Sequence, residues 1–181
     1  NTTATIDING GNFVTIDGRP GGTGTNKYLI IENTSTTAAS AGNAVLIRNE
    51  ASNNTLTYLD VRSANANPAS NTTAFTIPGF VPGAIAIGTT TGSFGNDNNI
   101  ISYCDVHSLS SGGNLGVCIF QYNATTAGAL SNNDNNTIDN CNIYDFYLAG
   151  SASAGINISA GNNVGTVTNN SIYQTGAPKN Y

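Results

Sequence analysis

Apolar positions in this chain come in short runs that alternate with polar ones, the period of a β-strand rather than of a helix. The clearest run occurs more than once. Residues 53–62 read Asn-Asn-Thr-Leu-Thr-Tyr-Leu-Asp-Val-Arg, and residues 98–107 read Asn-Asn-Ile-Ile-Ser-Tyr-Cys-Asp-Val-His. Residues 135–144 read Asn-Asn-Thr-Ile-Asp-Asn-Cys-Asn-Ile-Tyr, and a weaker copy at 164–173 keeps Val167, Asn169, Ile172 and Tyr173 in step. Laid over one another, the copies give an apolar column of Leu56, Ile101, Ile138 and Val167. A second column holds Val61, Val106, Ile143 and Ile172. A turn column of Leu59, Cys104, Cys141 and Asn170 lies between them. Internal repetition of this kind decides the architecture.

A second family of short strands starts at residues 44, 84, 116 and 155. It stacks Val45, Ile85, Val117 and Ile156 in one inward column and Ile47, Ile87, Ile119 and Ile158 in another. Leu46, Ala86, Cys118 and Asn157 fall between them, on an expected outward face of mixed polarity. Earlier strands are expected at 3–8, 13–17 and 28–32. The chain thus opens within a strand pattern, as a mature or excised piece would.

Positions Leu56, Ile101, Ile138 and Val167 lie 45, 37 and 29 residues apart. A propeller or a helical repeat does not tolerate such drift. A solenoid does, because insertions leave a coil sideways without disturbing the stack. The expected fold is all-β: one domain over 1–181, a right-handed, single-stranded parallel β-helix of about five coils with irregular loop insertions. Val and Ile suit its interior because branched side chains pack on the pleat. Asn suits its corners because it tolerates left-handed backbone and its amide bonds its neighbours. The longest insertion, 65–82, carries Phe75, Ile77, Phe80 and Val81 and is expected to cover one side or end of the helix.

Composition narrows the setting. Only 8% of residues are charged, against roughly 25% in an average globular protein. Asn, Thr, Ser and Gly take their place, which favours an extracellular β protein. With a net charge of −5 and five Lys plus Arg, no basic patch is available for nucleic acid. No apolar run reaches the roughly 18 residues of a membrane span. Cys104 and Cys141 share a column at disulfide reach, so they are either bonded or two stacked, reduced small residues. Cys118 has no partner in the pattern.

Residues 13–28 (Phe-Val-Thr-Ile-Asp-Gly-Arg-Pro-Gly-Gly-Thr-Gly-Thr-Asn-Lys-Tyr), 31–36 and 48–55 read as a recurring module. With 92–99 and the 135–143 stretch, they resemble the β-helical repeats of large Bacteroidetes surface proteins exported by the type IX system, often adhesin-like. The resemblance covers most of the chain. It implies a β-helix and a cell-surface or secreted location, and it brings no catalytic residues. The C-terminal sorting domain usual in such proteins is absent, which would make this an internal segment.

The β-helix also hosts polysaccharide lyases and hydrolases, so chemistry has to be sought in residues. The acids are scattered. The one stacked pair is Asp60 over Asp105, continued by Asn142 and Ser171, which could raise one pKa or hold Ca²⁺ but reads first as a solvated pair. His107, the only histidine, shares an outward column with Arg62, Tyr144 and Tyr173 and has no predictable orienting partner. No catalytic residue, cofactor or metal is expected. Tyr144, Tyr147 and Tyr173, with Phe146, form a candidate glycan stripe, since flat exposed rings suit sugar faces. Glycines at 10–11 and 21–24 read as turns. The loop threonines Thr34, Thr36, Thr37, Thr89–Thr91, Thr125 and Thr126 argue against a flat water-ordering array. The expected function is a non-catalytic structural or adhesin-type segment, a rigid spacer or display surface. Its partners would be neighbouring repeats or its own copies end to end, and surface polysaccharide. The alternatives are a carbohydrate-binding module, a self-assembling extracellular filament subunit and, third, a polysaccharide lyase or hydrolase.

Overall fold

The computed structural model describes residues 4–36, 42–70, 81–88, 93–110, 113–123, 130–163 and 165–176. Among these, fifteen short strands follow one another in a three-strand cycle that repeats five times. The first coil holds β1 (Ile6–Asn9), β2 (Thr15–Asp17) and β3 (Leu29–Asn33). The second holds β4 (Val45–Arg48), β5 (Thr55–Thr57) and β6 (Leu59–Ser63). Coil three is β7 (Ile85–Ile87), β8 (Ile100–Ser102) and β9 (Asp105–Ser108). Coil four is β10 (Val117–Gln121), β11 (Asn136–Asp139) and β12 (Asn142–Tyr144). The last is β13 (Ala154–Ile158), β14 (Gly165–Thr168) and β15 (Ser171–Tyr173).

Each strand pairs in parallel with its equivalents in the coils before and after, giving three five-stranded parallel sheets. The fold is a parallel β-helix. The first sheet runs β1-β4-β7-β10-β13, the second β2-β5-β8-β11-β14, and the third β3-β6-β9-β12-β15. Inward columns run the length of the second and third sheets. One is Ile16, Leu56, Ile101, Ile138 and Val167. The other is Ile31, Val61, Val106, Ile143 and Ile172. Their members in the middle coils are fully buried in one apolar cluster.

Left-handed residues make the corners. Between the first and second sheets, Phe13, Asn53, Asn98 and Asn135 have φ of 61, 60, 55 and 56°. The asparagine after each of the last three turns inward and builds a ladder of amides. Asn54 N–H donates to Asn99 Oδ1 (3.1 Å), and Asn99 N–H to Asn136 Oδ1 (2.8 Å). Their amide groups donate onward to Gly11 O, Ala51 O and Asn96 O. A buried corner must satisfy its backbone groups, and a stack of asparagines does so rung by rung. Between the second and third sheets the left-handed residues are Tyr58, Tyr103, Asn140 and Asn169. There the buried thiols of Cys104 and Cys141 follow, both unbonded, as is Cys118. Each Sγ–H points at a backbone oxygen, Ser102 O (3.3 Å) and Asp139 O (3.4 Å) for the first two.

The first sheet departs from expectation in register. Ile119, not Val117, lies opposite Ile85, and Gln121 lies opposite Ile87. The column is therefore Val45, Ile85, Ile119 and Ile156, with Gln121 between Ile87 and Ile158 in the next. A two-residue slip keeps Ile119 inward, so strict alternation is blind to it; at the start of β10 alternation itself fails, because Val117 lies in the outer cluster and Cys118 in the main core. Packing settles it: the slip seats Phe120, not Cys118, opposite the small Ala86. Leu46, Val81, Ala86, Val117 and Phe120 form a second, outer apolar cluster, while Cys118 packs into the main core.

The outward face of that sheet is therefore covered. Described parts of the 65–82 insertion lie along it. Gly116 N–H donates to Asn65 O (3.0 Å), Ala69 N–H to Ala152 O (2.9 Å), and Asn157 Nδ2 to Ala69 O (2.8 Å). The approach is so close that a Cβ on Gly116 would sit 2.1 Å from Asn67 O. Phe75, Ile77 and Phe80 lie outside the described residues. No helix among the described residues is long and apolar enough to cross a membrane.

Candidate functional site

Among the described residues, no apolar cluster covers the outer face of the third sheet. Alternation places two columns on it: Ile30, Asp60, Asp105, Asn142 and Ser171, and beside them Glu32, Arg62, His107, Tyr144 and Tyr173. Four of the chain's charged side chains meet in the first three rungs. Arg62 clasps Asp60 through Nε (2.9 Å) and its terminal nitrogen. His107 Nε2 lies 3.0 Å from Asp60 Oδ1, and its Nδ1 lies 2.6 Å from Ser108 O. Lys27, on the excursion between β2 and β3, reaches across two coils and places Nζ 2.6 Å from Asp105 Oδ1. Asn142 Nδ2 donates to the same oxygen (2.8 Å).

Asp60 and Asp105 are thus each neutralised by cations and do not share a proton. Burial pushes the Asp60 carboxyl up, but hydrogen bonds from His107 and Arg62 outweigh it and hold it well below the usual carboxylate range. The Ca²⁺ alternative meets two cationic side chains, Lys27 and Arg62, where a cation would sit. Among the described residues, no group of three or more His, Cys, Asp and Glu is placed to hold a metal. His107 has the orienting carboxylate that its sequence neighbourhood did not reveal. Asp60 is 47 residues away and arrives only through coil stacking.

The ring column is real, but its geometry differs from a row of open platforms. His107 and Tyr144 stack with centroids 4.4 Å apart and planes 10° from parallel, and Tyr144 and Tyr173 at 5.2 Å and 15°. Coil spacing is close to ring-stacking distance, so each ring turns its faces to its neighbours and offers solvent an edge. Only Tyr173, on the last coil, has a face with no rung beyond it among the described residues. Tyr144 is pushed up to about 12 by burial and by Asp105 and Asp60, so its hydroxyl remains a donor. Tyr147 lies past the end of β12, its backbone N–H donating to Leu115 O (2.8 Å), and takes no place in the column. Phe146 packs against the main core.

A second stack escaped sequence reading. Tyr58 and Tyr103 lie 4.8 Å apart and 8° from parallel at the corner beside this face, with the Arg19 guanidinium 3.9 Å over Tyr58. Its signal was the tyrosine shared by two repeat copies. The threonines also need correction. Thr15, Thr55, Thr137 and Thr166 share an outward column of the second sheet, broken by Ile100, and Thr57, Ser102 and Thr168 share the next, broken by Asp17 and Asp139. The interruptions, not placement in loops, are what deny them a continuous hydroxyl array.

Compared with family models, curated proteins and solved structures, the chain matches none.

Proposed function

We propose that the chain is a non-catalytic spacer or display segment of a secreted or cell-surface, adhesin-type protein, of the kind seen in the type IX-exported surface proteins of Bacteroidetes. The observation that carries this reading is the continuity of the ladders up to an open last coil. Inward-facing Val167 and Ile172 of that coil are 45% and 51% exposed, whereas their equivalents in the middle coils are buried. Another rung, from further chain or from a second copy, would bury them and pair the free strand edges. A stack that extends by adding rungs spans distance with each coil stabilised by its neighbours. Weak charge on its flanks suits a passive surface.

The test is to locate the chain in its source cells by protease shaving and to size the polypeptide that carries it. A surface-exposed polypeptide far longer than these 181 residues is the expected result. Recovery from the cytosol, or as a species of this length that stays monomeric at high concentration in sedimentation, would overturn it. Carbohydrate binding is the second reading. On the third sheet it rests on tyrosine edges, hydroxyls and the face of Tyr173 that has no rung beyond it among the described residues.

A further inference from the structure

Three successive coils build an open groove of about 410 Å³ at the corner between the first and second sheets. The turns at 10–13 and 49–53 and the approach to β8 at 94–95 supply its walls. Its most unusual member is Phe13. In the coils above, the same left-handed corner position holds Asn53, Asn98 and Asn135, and asparagine adopts that backbone readily. Phenylalanine does so only under strain, yet this ring is 79% exposed and makes no ring contact with any described residue. The fold explains the turn and not the ring.

Phe94 stands in the same groove, 55% exposed. Glu50, itself left-handed at φ 65°, lies on the wall. One of its oxygens accepts Phe94 N–H (3.0 Å), and its other oxygen takes no hydrogen bond among the described residues. Asn12 Oδ1 accepts Ser52 N–H (2.7 Å), which leaves its NH₂ directed elsewhere. The Asn53 side-chain amide makes no hydrogen bond with any described residue. Two open aromatic faces beside unpaired amide donors and a carboxylate acceptor match one chemistry closely. A sugar ring has apolar C–H faces and a rim of hydroxyls that both donate and accept.

We infer that the corner groove is a binding site for a neutral saccharide, with Phe13 and Phe94 as stacking platforms and Glu50, Asn12 and Asn53 as the hydroxyl partners. The charge in the groove selects against uronates: Glu50 is its one ionisable wall residue, and the chain as a whole is acidic. The inference does not depend on the spacer reading.

The experiment is amide chemical-shift mapping of the full chain with neutral hexaoses, a β-1,4-glucan, a β-1,3-glucan and a mannan, against hexagalacturonate. At least one neutral hexaose should shift the Gly10, Asn53 and Gly95 amides, and hexagalacturonate should not. Phe94→Ala should weaken that binding roughly tenfold, the value of one lost stacking contact. Phe13→Asn should weaken it by a similar factor while raising Tm, because asparagine suits the corner. That pairing separates a lost platform from a damaged fold. Silence of all three neutral hexaoses at the groove amides would overturn the inference. So would unchanged binding in Phe13→Asn, or shifts centred on Tyr144 and Tyr173 that vanish in Tyr173→Ala.

Discussion

The first and third sheets are both built from short parallel strands stacked in the same five coils, yet their outer faces have opposite fates. Outward positions of the first sheet carry Leu46, Ala86 and Phe120, and the insertion after β6 lies over them. Outward positions of the third carry Asp60, Arg62, Asp105, His107 and Tyr144. These neutralise and stack on one another without a second layer. A solenoid face can therefore be finished in two ways, by burying apolar area under extra chain or by a self-satisfying polar lattice. Only the first contributes a second core. The difference shows why insertions matter more to this fold than their irregular spacing suggests.

The comparison breaks most visibly at Phe120. Its ring is fully buried between sheet and cover, so Phe120→Ala should cost about 3–5 kcal/mol by denaturant unfolding. A loss comparable to an exposed substitution would mean that the cover is loosely held. A smaller effect belongs to the polar lattice, and it depends on pH. The folded pKa of Asp60 is depressed, so its stabilisation is fully present above the unfolded value and is lost as pH falls through the folded one. Below about pH 4, where unfolded aspartates begin to protonate, the native chain should lose stability more steeply than Asp60→Asn. Parallel acid-unfolding curves for the two would remove His107 and Arg62 as the reason for the shift. The smallest effect is expected from Tyr144→Ala, roughly 0.5–1.5 kcal/mol for a ring stacked on both sides. A cost matching that of Phe120→Ala would erase the distinction between the two faces.

How much of this was legible depended on chain separation. Between the second and third sheets, Leu56 to Val61, Ile101 to Val106, Ile138 to Ile143 and Val167 to Ile172 are each five residues apart. A corner of constant length locks both columns into one register, and both are read correctly by overlaying the repeats. No such constant joins the first sheet to anything, because loops of different length flank each of its strands. Alternation there left a two-residue slip open, and at the start of β10 it also put Val117 inside and Cys118 outside, where the structure has the reverse. The stacked rings were foreseen as a column but not as coins face to face, since ring orientation follows from coil spacing rather than from residue type.

The sequence by itself determined the parallel coil, its number of turns, the asparagine corners and the two long apolar columns. These follow from short-range alternation repeated at aligned positions, which survives any length of insertion. Tertiary structure alone decided where the 65–82 insertion lies, which cation meets which carboxylate, and that turns from three coils converge on one groove around Phe13. Apart from the local Arg62–Asp60 and Arg19–Asp17 pairs, those contacts join residues some 40 to 90 positions apart, such as Lys27 with Asp105 and Asn157 with Ala69. No local pattern encodes such a meeting, because it exists only once the coils are stacked.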